Sequence, residues 1–223
     1  MTEIQLQSVE HSYTTEILRK GIHLCSLSIP VIYYFIPKST ALAILIPLFL
    51  LFAISDLARL FHRPTGRLYE RYFGFLLRSH ERLDHGRKLT GATYVLLSAI
   101  LCILIFPKVI VITAFAILII SDTSAALIGR KIGRRPFLHK SLEGTTAFFV
   151  SALFVVALTP KIMYIPTEYA IGAIAALIGA LVEATKIGID DNLTIPMSIG
   201  VAMWALYAVL LPSVNIYRLD QLS

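Results

Sequence analysis

The sequence predicts an all-α, polytopic membrane protein of about seven transmembrane helices, with one amphipathic helix lying along the cytoplasmic interface. Three observations predict it. Of the 223 residues, 57% are hydrophobic and only 15% are charged, and the mean hydropathy is +0.75; a soluble domain of this size needs far more charge to cover its core. The apolar residues fall in blocks, most without a charge for sixteen or more positions, close to the roughly 20 residues that a helix needs to cross the hydrocarbon. The runs are continuous rather than alternating. Of the two architectures that satisfy backbone groups in lipid, helices and closed barrels, this pattern selects helices.

The spans are expected at about 22–37, 40–58, 90–107, 109–128, 144–160, 168–186 and 194–212. The first is short and contains Pro30, so it is expected to be kinked or to be extended by the preceding "TTEILRKG". No small-residue cleavage site follows it, so it is not read as a signal peptide. Between the second and third spans, "RPTGRLYERYFGFLLRSHERL" reads as a helix over about 64–82, with Pro64 in its first turn. At 100° per residue, Arg67, Arg71, Arg78 and Arg82 share one face, and Leu68, Tyr72, Phe73, Phe75 and Leu76 lie broadly opposite. Such a helix lies in the interface, either as a passive anchor or as a means of gathering an anionic nucleotide or lipid. There is no repeat of solenoid length and no Gly-, Ser- or Pro-rich linker, so residues 1–223 are read as a single domain. Cys25 and Cys102 fall within spans and read as small packing residues.

The net charge of +6 does not point to nucleic acid, because of where the charge lies. Arg19, Lys20, the cations from Arg59 to Lys88, those from Arg130 to Lys140, and Lys186 all fall on the side of the N-terminus. Lys38, Lys108, Lys161 and Arg218 fall opposite, so sixteen of the twenty Lys and Arg share one side. By the positive-inside rule the N-terminus and the long loops are expected in the cytoplasm and the C-terminus outside. The connections on the outer side are short, so chemistry is expected on the cytoplasmic face.

Small residues recur every four positions at Ser121, Ala125, Gly129 and Gly133, and at Gly172, Ala176, Ala180 and Ala184. This spacing lets helices approach closely in lipid and marks spans 109–128 and 168–186 as central. Both carry acids near their cytoplasmic ends, Asp122 and Glu183. A carboxylate inside a span costs about 2.5–3.5 kcal/mol at the centre and less near the interface, so Asp122 must face protein or water. Asp56, in "AISDLARLFHR", occupies a matching place on the second span. "GIDDNLTIP" adds Asp190, Asp191 and Asn192 ahead of the seventh.

These acids converge by topology on the shelf that holds the basic turn "GRKIGRRPFLHKSLEG". Acids alone suggest an ion pathway or metal site, and bases alone suggest headgroup binding. Together they suit a magnesium–polyphosphate, with oxygen ligands for the hard cation and Lys, Arg and backbone N–H groups for phosphate. Gly129, Gly133 and Gly144 would let the backbone come close, although Walker-type Gly-Lys-Ser/Thr spacing is absent. Simpler roles remain open. Asp122 can pair with Arg130 or Arg19, and Asp191 and Asn192 can cap the seventh helix with Pro196 in its first turn. His23, one turn after Arg19, is more often structural than catalytic. The six His show no zinc spacing, and no Ser-His-Asp or Cys-His arrangement has support.

The stretch "SDTSAALIGRKIGRRPFLHKSLEGTTAFF" resembles the signature of the CTP-dependent lipid-alcohol kinases (the dolichol kinase, phytol kinase and CTP-dependent diacylglycerol kinase group), a region shared with phosphatidate cytidylyltransferases. "EILRKGIHL", "LLRSHERLDHGRKLTGATYVLL" and "EATKIGIDDNLTIPMSIG" extend the resemblance, in order, over nearly the whole chain. One departure is Ser121, where many relatives have glycine. The resemblance implies transfer of the γ-phosphoryl of CTP, with Mg2+, to the hydroxyl of a membrane lipid. It also implies roles. Asp122 binds magnesium or accepts the alcohol proton, and Lys140 and Glu143 are catalytic with it, Lys140 on the triphosphate and Glu143 in a metal or ribose contact. Arg130, Lys131, Arg134, Arg135, Ser141, Gly144 and Asn192 hold the nucleotide. Glu183, Asp190 and Asp191 complete metal or ribose contacts, and Lys20, His23, Asp56, Arg78, His80 and Glu81 serve the lipid or the structure. The rival enzyme is a cytidylyltransferase, which attacks the α-phosphorus and releases pyrophosphate. The rival from another class is a transporter whose ion site is the intramembrane acid. The expected partners are CTP, a lipid alcohol and the bilayer, with no nucleic acid; oligomeric state and acceptor are left open.

Overall fold

The computed structural model describes residues 17–62, 64, 66, 67, 69, 71, 89–185 and 187–221. Nearly all the apolar blocks form helix. Residues 17–25 are helical (α1). They are followed by α2 (Ser28–Phe35), α3 (Lys38–Phe61), α4 (Gly91–Ile105), α5 (Lys108–Ile132), α6 (Leu142–Leu158), α7 (Pro166–Ala184) and α8 (Asp191–Leu210). A two-stranded hairpin, β1 (Pro136–Phe137) and β2 (Lys140–Ser141), joins α5 to α6, and a 3₁₀ turn at Arg218–Asp220 lies near the end. The expected interfacial helix over 64–82, with Arg78, His80 and Glu81, lies largely outside the described residues.

Four of these helices, α3, α5, α7 and α8, are long and apolar enough to cross a membrane. The chain is an integral membrane protein. The expected seven full spans are not all realised at that length: α4 has 15 residues and α6 has 17, which at about 1.5 Å per residue falls short of a hydrocarbon core of about 30 Å. The first span is broken rather than merely kinked. Pro30 has no N–H to give Ser26, the carbonyl one turn back. The chain tightens there through Ser26 N to His23 O at 2.9 Å and Leu27 N to Leu24 O at 3.0 Å, and α2 starts afresh.

The most enclosed helix is α5. Every residue from Lys108 to Ile119 is buried, as are Ser121, Asp122, Thr123 and Ala125, and the surrounding wall is α2, α4, α6 and α8. Lipid chains are as apolar as leucine, so close fit rather than hydrophobic exclusion holds such a bundle together. Glycines create that fit. A Cβ on Gly172 would lie 2.5 Å from Val156 Cγ1, and one on Gly200 would lie 2.5 Å from Phe106 Cε2. Gly129, Gly133 and Gly144 serve the same purpose. A Cβ on Gly129 or Gly144 would stand 3.3 Å from the other's Cα, and one on Gly133 would stand 2.6 Å from Ser141 Oγ. They seat α6 on α5, so the approach they permit is helix to helix, not backbone to phosphate.

The short connections all lie at one end of the bundle, and each is built on a Pro-Lys pair: Pro37-Lys38, Pro107-Lys108 and Pro160-Lys161. The proline starts the next helix or turn, and the lysine turns its ammonium onto a helix C-terminus, where carbonyls lack intrahelical partners. Lys38 Nζ reaches Leu104 O of α4 at 3.1 Å, and Lys108 Nζ reaches Ile36 O behind α2 at 2.8 Å. Lys161 Nζ takes Val156 O at 2.6 Å and Thr159 O at 2.7 Å. Beside it, fully buried Glu168 accepts Ile162 N at 2.9 Å, Met163 N at 2.8 Å and the Tyr207 hydroxyl at 2.9 Å, which closes the connection between α6 and α7.

Candidate functional site

The opposite end of the bundle gathers the remaining buried charge. Asp122 sits on α5 nearly three turns before its C-terminus, 6% exposed. Because α5 is enclosed, this carboxylate meets protein rather than lipid. Its partner is Lys20 of α1, whose ammonium donates to Asp122 Oδ2 and lies 3.4 Å from the Asp122 carbonyl. His23, one turn on, brings Nε2 to 3.9 Å from the same Oδ2. Neither Arg19 nor Arg130 is the ion-pair partner of Asp122; the neighbouring Lys20 is.

The hairpin supplies the next group. Its strands pair antiparallel, Pro136 with Ser141 and Phe137 with Lys140, so only Leu138 and His139 make the turn. Leu138 holds φ +52°, a left-handed conformation that two-residue hairpins ordinarily give to glycine and that costs a leucine on the order of 1 kcal/mol. The His139 N–H donates to Ala184 O at 3.0 Å and docks the turn on the end of α7. Lys140 then reaches Glu183 Oε1 at 2.6 Å and Asp191 Oδ2 at 3.1 Å. Partial burial alone would lower the Lys140 ammonium, but the Asp191 and Glu183 carboxylates outweigh it and hold its pKa above the ordinary lysine value. Asp122 and Lys140 are close enough to feel each other's charge, so Lys20, Asp122, Lys140, Glu183 and Asp191 form one alternating cluster.

Other expected site residues have local duties. Asp190 caps α8: its Oδ1 accepts Asn192 N at 3.0 Å and Asn192 Nδ2 at 2.7 Å. The cap is one residue earlier than expected, which frees Asp191 for Lys140 and puts Pro196 in the second turn of α8 rather than the first. Ser141 caps α6 by accepting Gly144 N at 3.2 Å, and Gly144 is buried in the α5–α6 seam. Glu143 takes the Arg134 N–H at 3.1 Å and the Arg135 N–H at 3.3 Å; it braces the hairpin and uses the backbone donors expected to serve phosphate. The side chains of Arg130, Lys131, Arg134 and Arg135 are exposed. Arg134 and Arg135 border an open groove with Ile128, Ile132, Leu142 and Val150, apart from Lys140.

Asp56 is fully engaged. Its Oδ2 accepts Thr90 N at 2.7 Å, Thr90 Oγ1 at 2.9 Å and Thr93 Oγ1 at 2.7 Å, and its Oδ1 meets Arg59 Nη2 at 3.3 Å. It pins the start of α4 to α3. Between this pin and Asp122 lies a chamber of about 480 Å3, with Lys20, His23, Asp122 and Asn192 at its polar end and Ile22, Leu51, Phe52 and Val95 among its apolar walls. Sequence reasoning did not locate this chamber, because it depends on where α1 and α3 diverge.

Among the described residues no group of three or more His, Cys, Asp and Glu side chains is placed to cage a metal. Among these residues the arrangement suits a magnesium ion held by one or two carboxylates with phosphate completing its shell, rather than an all-protein cage. One observation favours such an ion: Glu183 Oε2 is buried and makes no hydrogen bond, whereas buried carboxylate oxygens are ordinarily satisfied.

A helical bundle with its buried charges withdrawn from lipid to its two ends, and with alternating acids and bases gathered at one of them, defines an integral membrane protein with an acid–base site at that end. In sequence, the chain is 34% identical over 186 residues to an uncharacterized protein of Rickettsia prowazekii, covering 81% of this chain and 89% of that one. It is 30% identical to CTP-dependent diacylglycerol kinase 1 of Saccharomyces cerevisiae, over 88% of this chain and 77% of that protein. With CTP-dependent diacylglycerol kinase 1 of Schizosaccharomyces pombe it shares 28% identity over 64% and 70% of the two chains. The chain belongs to the CTP-dependent diacylglycerol kinase family. No protein-family model matches it, and no solved structure does.

Proposed function

We propose that the protein is a membrane lipid kinase that transfers the γ-phosphoryl group of CTP to the hydroxyl of diacylglycerol. The observation that carries the reading is the alternating cluster at one membrane face, Lys20–Asp122 beside Lys140–Glu183–Asp191. CTP as donor and diacylglycerol as acceptor are supported by what the two fungal relatives are named for. In the reaction the bond from the γ-phosphorus to the β–γ bridging oxygen breaks and one to the lipid oxygen forms, leaving CDP, a lipid phosphate and a proton. Such transfer is mostly positioning and charge neutralisation.

The residues divide that work. Lys140 faces the phosphates as a cation held charged by its two acids. Asp122, at the buried polar end of the apolar chamber, orients the lipid hydroxyl and takes its proton, while Lys20 fixes the carboxylate's position. Glu183 and Asp191 would hold magnesium, which when bound neutralises phosphate oxygens. The cation distribution supports a cytoplasmic orientation of this face, which would bring the site to the nucleotide pool.

The test is incubation of purified protein in mixed micelles with diacylglycerol and CTP labelled in the γ-phosphate. The expected products are CDP and labelled phosphatidate. Pyrophosphate and a CDP-lipid, formed from phosphatidate, would identify a cytidylyltransferase instead. Asp122→Asn is expected to abolish turnover while the protein still inserts in the membrane, and full activity in that variant would remove Asp122 from the mechanism.

A further inference from the structure

The chamber of about 480 Å3 next to Asp122 is bounded by α1, α3 and α4, with Asp122 of α5 and Asn192 of α8 at its floor. Its size falls in the range of pockets for small ligands, roughly 300–1,000 Å3. It is too small for two long chains but ample for a polar head and the first carbons of each chain. Its position in the bundle explains why it exists. The extensive packing of α2 is with α5, and that of α3 is with α4, so the two consecutive spans part from one another above their short connection. On either side of the parting stand apolar side chains, Ile22 at 49%, Leu51 at 64% and Phe52 at 39% exposure. Leu51 and Phe52 lie within the membrane-spanning helix α3. The chamber therefore communicates sideways with the hydrocarbon of the bilayer.

The inner wall has a different chemistry. It carries the buried Lys20–Asp122 pair and Asn192, while half-buried Ser26 and exposed Ser55 line the chamber outside them. Asn192 is 3% exposed, with its amide nitrogen committed to Asp190. A chamber with apolar walls, a buried polar floor and two hydroxyls further out suits a ligand with two tails and more than one oxygen at its head. A single-hydroxyl isoprenoid would satisfy Asp122 and leave the other polar groups unmatched, which costs affinity.

We infer that this chamber is the acceptor site, and that it takes a neutral glycerolipid, diacylglycerol in form, that slides in between α1 and α3 from the membrane with its free hydroxyl toward Asp122 and its ester groups against Ser26, Ser55 and Asn192. On the lipid-kinase reading, on which the role of the hydroxyl rests, nucleotide and acceptor then approach Asp122 from opposite sides: CTP from Lys140, and the lipid from the chamber.

The full-length protein in mixed micelles, without nucleotide, is irradiated with a diacylglycerol carrying a diazirine near the ester of one acyl chain. Labelling is expected on Ile22, Leu51, Phe52, Ala92 or Val95, at least fivefold suppressed by excess unlabelled diacylglycerol and not by an equal excess of polyprenol. Label confined to residues outside the chamber, such as the groove of Ile128, Ile132 and Val150, would overturn the site. Equal competition by polyprenol would overturn the glycerolipid preference. Ala92→Trp, which fills the chamber from an exposed helical position, is expected to cut labelling at least fivefold. In turnover it is expected to raise the KM for diacylglycerol tenfold or more and leave the KM for CTP within twofold; unchanged labelling would overturn the proposal. If no nucleotide supports phosphorylation, the kinase reading falls, but chamber labelling still decides the lipid site, because that measurement needs no turnover.

Discussion

Asp56 has the position of a site residue and the contacts of a rivet, and the difference can be measured. Asp56→Asn preserves its shape and removes its charge. Three donors converge on Oδ2 at 2.7, 2.9 and 2.7 Å. Turned to keep its carbonyl toward them, the asparagine still accepts, but each bond loses its charge assistance, about 1 kcal/mol apiece at most. The amide NH2 then faces Arg59, a cation with no exposed surface that is paired with Asp56 at 3.3 Å. Removing one counter-charge from beside a buried ion costs on the order of 2 kcal/mol, of which the Tyr69 ring, 5.5 Å from the Arg59 guanidinium, offsets about 1 kcal/mol. The net expectation is a loss of about 3–4 kcal/mol, a fall in thermal midpoint on the order of 10 °C for a chain of this size. The assay is thermal unfolding in detergent of Asp56→Asn, Thr93→Val and the double variant, with turnover measured on the folded fraction. Thr93→Val alone should cost about 1 kcal/mol, and less in the Asp56→Asn background, since the two share one bond. A loss under about 1 kcal/mol together with lost turnover would refute the structural role and return Asp56 to the active site.

Three further outcomes follow from other parts of the molecule. Lys140→Met should raise the KM for CTP tenfold or more, and magnesium should raise its thermal midpoint more than that of the parent, because Glu183 and Asp191 lose their shared cation; an equal magnesium response would count against those acids as its ligands. Gly200→Ala should cost about 1–3 kcal/mol by overpacking, since the new Cβ would stand 2.5 Å from the Phe106 ring, and an unchanged unfolding midpoint would contradict the seam between α8 and the end of α4. Burial, only partly opposed by Glu168, pushes the Lys161 ammonium down to about 8, against an ordinary value of 10.5. Between those two pH values the unfolded chain holds a proton that the folded one lacks, so stability rises as pH increases from 8 toward 10.5, by up to roughly 3 kcal/mol. Lys161→Met should remove that rise, and a parallel rise in the variant would assign it to other groups.

The sequence displays what depends on composition along one segment and hides what depends on two segments meeting. The apolar blocks are helical, and the small-residue stripe through Ser121, Ala125 and Gly129 lies on the most enclosed helix, because both properties are set within one stretch. The convergence of Asp122, Glu183 and Asp191 was legible because chain direction alternates across a membrane and sends the ends of alternate helices to one face. Which cation meets Asp122 was not. One residue is a 100° turn on a helix, so choosing Lys20 over Arg19 requires the docking angle of α1, which the break before Pro30 sets free. The same one-residue margin moved the cap of α8 from Asp191 to Asp190. The glycines of the hairpin region were misread toward phosphate because a close approach has no visible partner in one dimension; the partner is α6.

The lysines at the short connections bear on how the protein is made. Lys38, at the start of α3, is clasped by the end of α4, and Lys108, at the start of α5, is clasped by the end of α2. The exchange is reciprocal, so neither of the first two hairpins can finish without the other. As the ribosome delivers the chain, the first pair of spans waits with the carbonyl of Ile36 unclaimed by Lys108 until that residue arrives, and Lys38 waits for Leu104. Only then does α5 seat and carry Asp122 to Lys20. Completion of the acid–base site is thereby tied to completion of the first five helices, and a chain cut short before Lys108 has neither the clasp nor the aspartate.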